Sequence, residues 1–134
     1  MTLGAEEKRA IIQYRLEKAY KSLTEARDNG EMNHWTLAAN RLYYAVYYAL
    51  TAFLTVRGIV THTHAGLIRV VGLEFVRNGI LTKDDGRLLS RLFDMRQSGD
   101  YDDFFEWMEE DVRPYFEKTE QLILKIEGLI RLEE

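Results

Sequence analysis

Cysteine is missing from all 134 residues, which excludes a disulfide framework and thiolate chemistry. Proline occurs once and low-complexity runs are absent, so neither a loop-rich nor a disordered chain fits; 46% hydrophobic residues fit a compact helical protein. Excess basic charge is also lacking. At a net charge of −4 there is no general attraction to nucleic acid, and RNA or DNA binding would require a local basic patch. The opening Met1-Thr2-Leu3-Gly4-Ala5-Glu6-Glu7-Lys8 has neither the basic nor the apolar region of a secretory signal peptide, so the expected location is cytoplasmic. No strand-like alternation is sustained and no internal repeat occurs. The length suits one domain spanning residues 1–134, with a core large enough to need no cross-links.

What the chain does have is an aromatic, apolar stretch at residues 37–54, in which only Asn40, Arg41 and Thr51 are neither apolar nor aromatic. At 100° per residue, Ala39, Leu42, Val46, Ala49, Leu50 and Phe53 share one side, the mark of a core-facing stripe. Leu37, Arg41, Tyr44 and Tyr48 line the opposite side at spacings of four, three and four. Such a helix needs covering all round. A membrane span is disfavoured, because Arg41 costs roughly 2.5 to 3.5 kcal/mol on insertion scales and the tyrosines lie away from any interfacial position.

The remaining pattern predicts four further helices. A first, over residues 5 to about 28, buries Ile12, Leu16, Ala19, Leu23 and Ala26 and stops at Asp28-Asn29-Gly30-Glu31. The aromatic helix starts after an Asn33 N-cap and ends at Gly58. A third, capped by Thr61 or Thr63, carries Leu67, Val70, Val71 and Phe75 and ends at Asn78-Gly79, its Gly66 and Gly72 calling for close packing. Thr82-Lys83-Asp84-Asp85 is a capping box with Asp for Glu. It opens a fourth helix whose stripes hold Leu88, Leu92 and Met95, and Leu89 and Phe93; residues 97–103 break it. The last helix buries Phe116, Leu122 or Ile123, Ile126 and Leu129 or Ile130, and starts near Pro114 unless residues 104–113 form a short helix of their own. The fold class is therefore all-α: an up-and-down antiparallel bundle of four long helices and a shorter one in the middle.

Few residues can carry chemistry. His62 and His64 stand in a His-x-His arrangement that could seed a metal site only if Asp and Glu completed it, since no other His and no Cys does; the reading taken is a polar helix entry, with no metal and no cofactor expected. Arg96 continues an apolar stripe, where a guanidinium needs an anionic partner; a local ion pair with Asp100 and a phosphate-binding role at a cleft both satisfy that. Arg41, Tyr44 and Tyr48 read as a packed interface or as a site where tyrosine stacks on a base and arginine takes phosphate. Glu109-Glu110-Asp111 reads as a solvated helix start.

Four motifs in order, Asn40-Arg41-Leu42-Tyr43-Tyr44-Ala45, Thr63-His64-Ala65-Gly66, Glu74-Phe75-Val76-Arg77-Asn78-Gly79 and Leu92-Phe93-Asp94-Met95-Arg96-Gln97-Ser98-Gly99-Asp100-Tyr101, give a chain that resembles a HEPN domain. The likeness is nearest to the small stand-alone prokaryotic branch and runs from about residue 10 to residue 131. It implies a bundle, commonly dimeric, with the second and fourth helices beside a cleft. It also implies a possible minimal nucleotidyltransferase partner, since relatives are often encoded or fused with one, some as toxin and antitoxin pairs. In RNase members an Arg and a His separated by four to six residues form a metal-independent site. Arg96 matches that arginine, but Gln97 to Asp103 contains no histidine and Tyr101 stands at the shortest spacing. Tyrosine is only about 0.1% ionised at neutral pH, a poor base. The expectation is thus a homodimer binding a nucleotide, RNA or another phosphate-bearing ligand through Arg41, Tyr44, His64, Arg96 and Tyr101. The alternative is an RNase using Arg96 with His64 or Tyr101.

Overall fold

In the computed structural model, which describes residues 4–133, the elements are α1 (Ala5–Glu31), α2 (Trp35–Arg57), α3 (His64–Val70, continued by a π-helical stretch Val71–Val76), α4 (Lys83–Tyr101), α5 (Glu109–Val112) and α6 (Pro114–Glu133). This is an all-α helical bundle. Four helices are long, α3 is the shorter one between them, and the single turn of α5 precedes Pro114, where the missing N–H costs nothing. α2 is the hub: α1, α4 and α6 all pack on it. Leu42, Val46, Ala49, Leu50 and Phe53 are buried, as are Ile12, Leu16, Ala19, Leu23 and Ala26 of α1. Each fully buried large apolar side chain contributes about 1.5–3 kcal/mol. From α4 come Leu89, Leu92 and Met95, and from α6 Leu122, Ile123, Ile126 and Ile130.

The helix ends explain themselves locally. Gly58 (φ 69°) and Gly79 (φ 77°) take the left-handed conformation that ends a helix and that glycine adopts without a Cβ penalty. Thr63 accepts the Gly66 N–H, and Thr82 with Asp85 forms a reciprocal capping box. Trp107 returns the chain after α4, its backbone N–H donating to Thr36 Oγ1 and its indole N–H to the Met95 carbonyl, each at 2.9 Å.

Four details differ from the sequence expectation. Asn33 is not the N-cap of α2; His34 holds that position, and Asn33 (φ 63°) supplies the left-handed residue of the turn. α1 runs through Gly30 to Glu31, because Gly30 serves packing: a Cβ there would lie 3.0–3.2 Å from ring atoms of Trp35 and Phe116. α4 continues through Gly99 to Tyr101 rather than breaking at Gln97. Gly72 packs closely on nothing; a Cβ there would meet open space.

These environments set opposite signs for two Gly→Ala changes. Helix propensity favours alanine by about 0.8–1 kcal/mol. At Gly128, where a Cβ meets nothing within 4 Å, that gain should appear as raised stability. At Gly30 the rigid rings make overpacking, typically about 1–3 kcal/mol, the larger effect, so stability should drop by about 1 kcal/mol. Urea unfolding of Gly30→Ala and Gly128→Ala measures both; a stabilised Gly30→Ala contradicts the packing account.

Candidate functional site

The side of α2 that faces α3 and α4 is aromatic and unusually polar. Tyr43 is fully buried, its ring 5.5 Å from Phe93 and 5.4 Å from His64, centroid to centroid. Its hydroxyl lies 2.6 Å from His64 Nδ1. His64 is held there as the first residue of α3, after the Thr63 cap, and Tyr44 and Tyr47 also flank its ring. With Phe93, Arg96, Gln97 and Tyr101 it lines a shallow depression between α3 and the end of α4.

Arg96 is the charged centre of this depression. Its side chain is only 11% exposed, and Nε lies 3.0 Å from Asp100 Oδ2. The ion pair one turn along the helix therefore exists, yet this buried Nε–H is not aligned for a hydrogen bond. The other contacts are long, Nη1 to Gln97 Oε1 at 3.4 Å and Nη2 to the Tyr101 hydroxyl at 3.5 Å. Bonds of that length are weak. The guanidinium carbon lies 5.5 Å from the ring centroids of both Tyr44 and Tyr101. Asp100 is shared, accepting from Asn40 Nδ2 at 3.0 and 3.1 Å. Asn40 in turn accepts from Arg41, which lies 5.0 Å from the Tyr44 centroid and 3.5 Å from Glu25 of α1.

The five residues singled out by sequence are thus assembled unevenly. His64, Arg96 and Tyr101 share the depression; Tyr44 joins it through the Arg96 guanidinium, and Arg41 stands one step further out, across Tyr44 and Asn40. Tyr43, Asn40 and Asp100 were not among the five, although the first two stand in the Asn40-Arg41-Leu42-Tyr43 motif and Asn40 interrupts an apolar helix three residues before Tyr43. His62 is exposed, and among the described residues no group of three or more His, Asp or Glu side chains converges on a possible metal position. No described helix is long and apolar enough to cross a membrane. A larger hollow of about 640 Å³ opens between the start of α1 and the end of α2 but contains none of the five residues; its Arg15 is tied to the Thr51 carbonyl and the Thr55 hydroxyl.

Burial, reinforced by the Arg96 charge, lowers the His64 pKa from its ordinary 6.5, so the imidazole is neutral at pH 7. Burial also holds the Tyr43 phenol well above 10 and therefore protonated. The arrangement is a neutral imidazole and a poorly satisfied guanidinium in one depression, which suits an anion with several acceptor oxygens.

These features define a class: a helical bundle with an arginine- and histidine-lined depression at the junction of its second, third and fourth helices. The HEPN domain family model matches residues 12–129, and the chain belongs to that family. A UPF0332 protein of Thermotoga maritima is 34% identical over 124 residues, covering 92% of this chain and 94% of the relative. A UPF0332 protein of Archaeoglobus fulgidus is 33% identical over 90 residues, 67% of this chain and 71% of the relative. A protein of Methanocaldococcus jannaschii named "Putative toxin" is 31% identical over 93 residues, 69% of each chain.

The lowered His64 pKa has a sign. Because the folded chain binds this proton less readily than the unfolded chain, the histidine contributes stability above pH 6.5 that is lost as pH falls through the folded pKa. Denaturant unfolding across pH 4.5–7.5 should show this loss, and His64→Gln should flatten that part of the profile. An unchanged profile contradicts burial of the imidazole.

Proposed function

We propose that the chain is an anion-recognition HEPN module that binds a nucleotide or similar phosphate-bearing ligand at the His64/Arg96 depression, with Tyr101, Tyr44 and Arg41 around it. The observation that carries this reading is Arg96: its side chain is only 11% exposed, its Nε is buried, and its hydrogen-bond contacts are long or misaligned. A buried charge is stable only with good partners, and a phosphate bound at the depression would complete them.

The module acts in this reading as a homodimer through the α2 and α4 face, where Leu37 of α2 (55%) and Tyr101 of α4 (71%) are exposed. A minimal nucleotidyltransferase is its partner in a toxin and antitoxin type of pair. The toxin names of its Methanocaldococcus relatives and its family membership support that part. One observation favours a second reading, metal-independent RNA cleavage: a neutral imidazole shares the depression with Arg96.

Calorimetry with AMP, ADP and ATP should give saturable heat, and Arg96→Ala should weaken affinity at least tenfold, since hydrogen bonds to charged groups contribute about 1.5–3 kcal/mol. Silence with all three nucleotides contradicts the binding reading. RNA cleavage with chelator present, abolished by His64→Ala, would establish the second reading instead. Light scattering at micromolar concentration should return twice the chain mass; a monomer contradicts the dimer.

A further inference from the structure

Two properties of Tyr43 together decide which nitrogen of its neighbour carries the proton. Its side chain is fully buried, and its hydroxyl has one hydrogen-bond partner among the described residues, His64 Nδ1 at 2.6 Å. A neutral imidazole carries one donor and one acceptor nitrogen. Were the hydrogen on Nδ1, two donors would meet, or the phenol would accept and leave its own O–H buried without an acceptor. With Nδ1 as acceptor, both the buried phenol O–H and Nδ1 are satisfied. The buried phenol does not give up its proton, so no ionised form rescues the other tautomer.

We infer that Tyr43 is a positioning residue whose hydroxyl donates to His64 Nδ1, fixing the imidazole so that its outward nitrogen, Nε2, presents an N–H to the depression. Tyr44 and Tyr47 from α2 and Phe93 from α4 wedge the ring against rotation. The consequence is chemical. Nε2–H and the Arg96 guanidinium are both donors with no acceptor capacity, so the inner part of the site favours a group rich in acceptors, and the Arg96 charge favours an anionic one such as a phosphate. In the same state His64 has no outward lone pair and is not a general base. Tyr43 therefore selects binding over cleavage at a site where the imidazole would otherwise suit either. This inference rests on the phosphate reading for its ligand, but the state of His64 is independent of it.

The test uses the full chain labelled with ¹⁵N. Spectra of the wild type at neutral pH should show His64 Nε2 protonated and Nδ1 not, with a slowly exchanging Tyr43 hydroxyl proton coupled across the hydrogen bond to Nδ1. AMP, but not adenosine, should shift the Nε2–H signal. Tyr43→Phe keeps the ring and removes the hydroxyl; it should lose the coupling and weaken AMP binding roughly fivefold, as expected for one hydrogen bond's worth of orientation. A proton on Nδ1 in the wild type, or full AMP affinity in a folded Tyr43→Phe, overturns the inference. If Tyr43→Phe fails to fold, the wild-type spectrum decides alone. The expected tautomer with no AMP response supports the Tyr43 assignment while removing the phosphate reading.

Discussion

A helix apolar on nearly every side has to be covered on most of them, and much of the rest of the structure follows from meeting that demand for α2, whose Leu37 alone among its large apolar residues stays exposed. Backbone elements cover most of it: α1 folds back through a short turn, and α4 and α6 pack alongside. The remaining flank carries Arg41, Tyr44, Tyr47 and Tyr48, and side chains finish the work there. Lys18 reaches within 4.8 Å of the Tyr48 ring centroid, Arg41 within 5.0 Å of Tyr44, and Arg96 within 5.5 Å of Tyr44. Long cationic side chains lay their stems along apolar surface and their charges over π faces. The polar site thus lies where cations, rather than a helix, cover the flank of α2.

That placement sets its electrostatics. Arg96 enters a partly buried position because Tyr44 and Tyr101 stabilise it, and Asp100 balances its charge without satisfying its geometry. Asp100 also holds Asn40, and through it Arg41 and Glu25, so one chain of contacts ties α4 to α2 and α1. His64 completes the set from a third element. The histidine of this set comes from the start of α3, with its inner nitrogen already engaged by Tyr43.

Much of the fold could be read from residue periodicity. The buried positions of α1, the glycine stops at Gly58 and Gly79, and the Thr82/Asp85 capping box are local features, and local physics determines them. Gly30 misleads because a glycine needed for close approach to Trp35 and Phe116 looks, in sequence, like a helix terminator. Gly99 misleads at the end of α4 for a related reason: a Cβ there would lie 2.8 Å from Thr36 Cγ2. In the site, Arg96 was legible because a charge on an apolar stripe is an anomaly at helical spacing, and so was its Asp100 partner one turn away. Tyr43 was not, since a buried tyrosine in an aromatic run looks like core, and its bond to His64 spans 21 residues. Which long-range partner a side chain meets depends on how helices dock, and periodicity carries no such information.

The central claim is that the buried, poorly satisfied Arg96 guanidinium is the anion-binding group of this protein. Side-chain ¹⁵N spectra of the arginine Nε–H groups, followed as AMP is added, test it most directly. The account predicts that the Arg96 Nε–H resonance moves further than that of any other arginine, and saturably. An Arg96 resonance that stays in place, whether other arginines respond or none do, contradicts it.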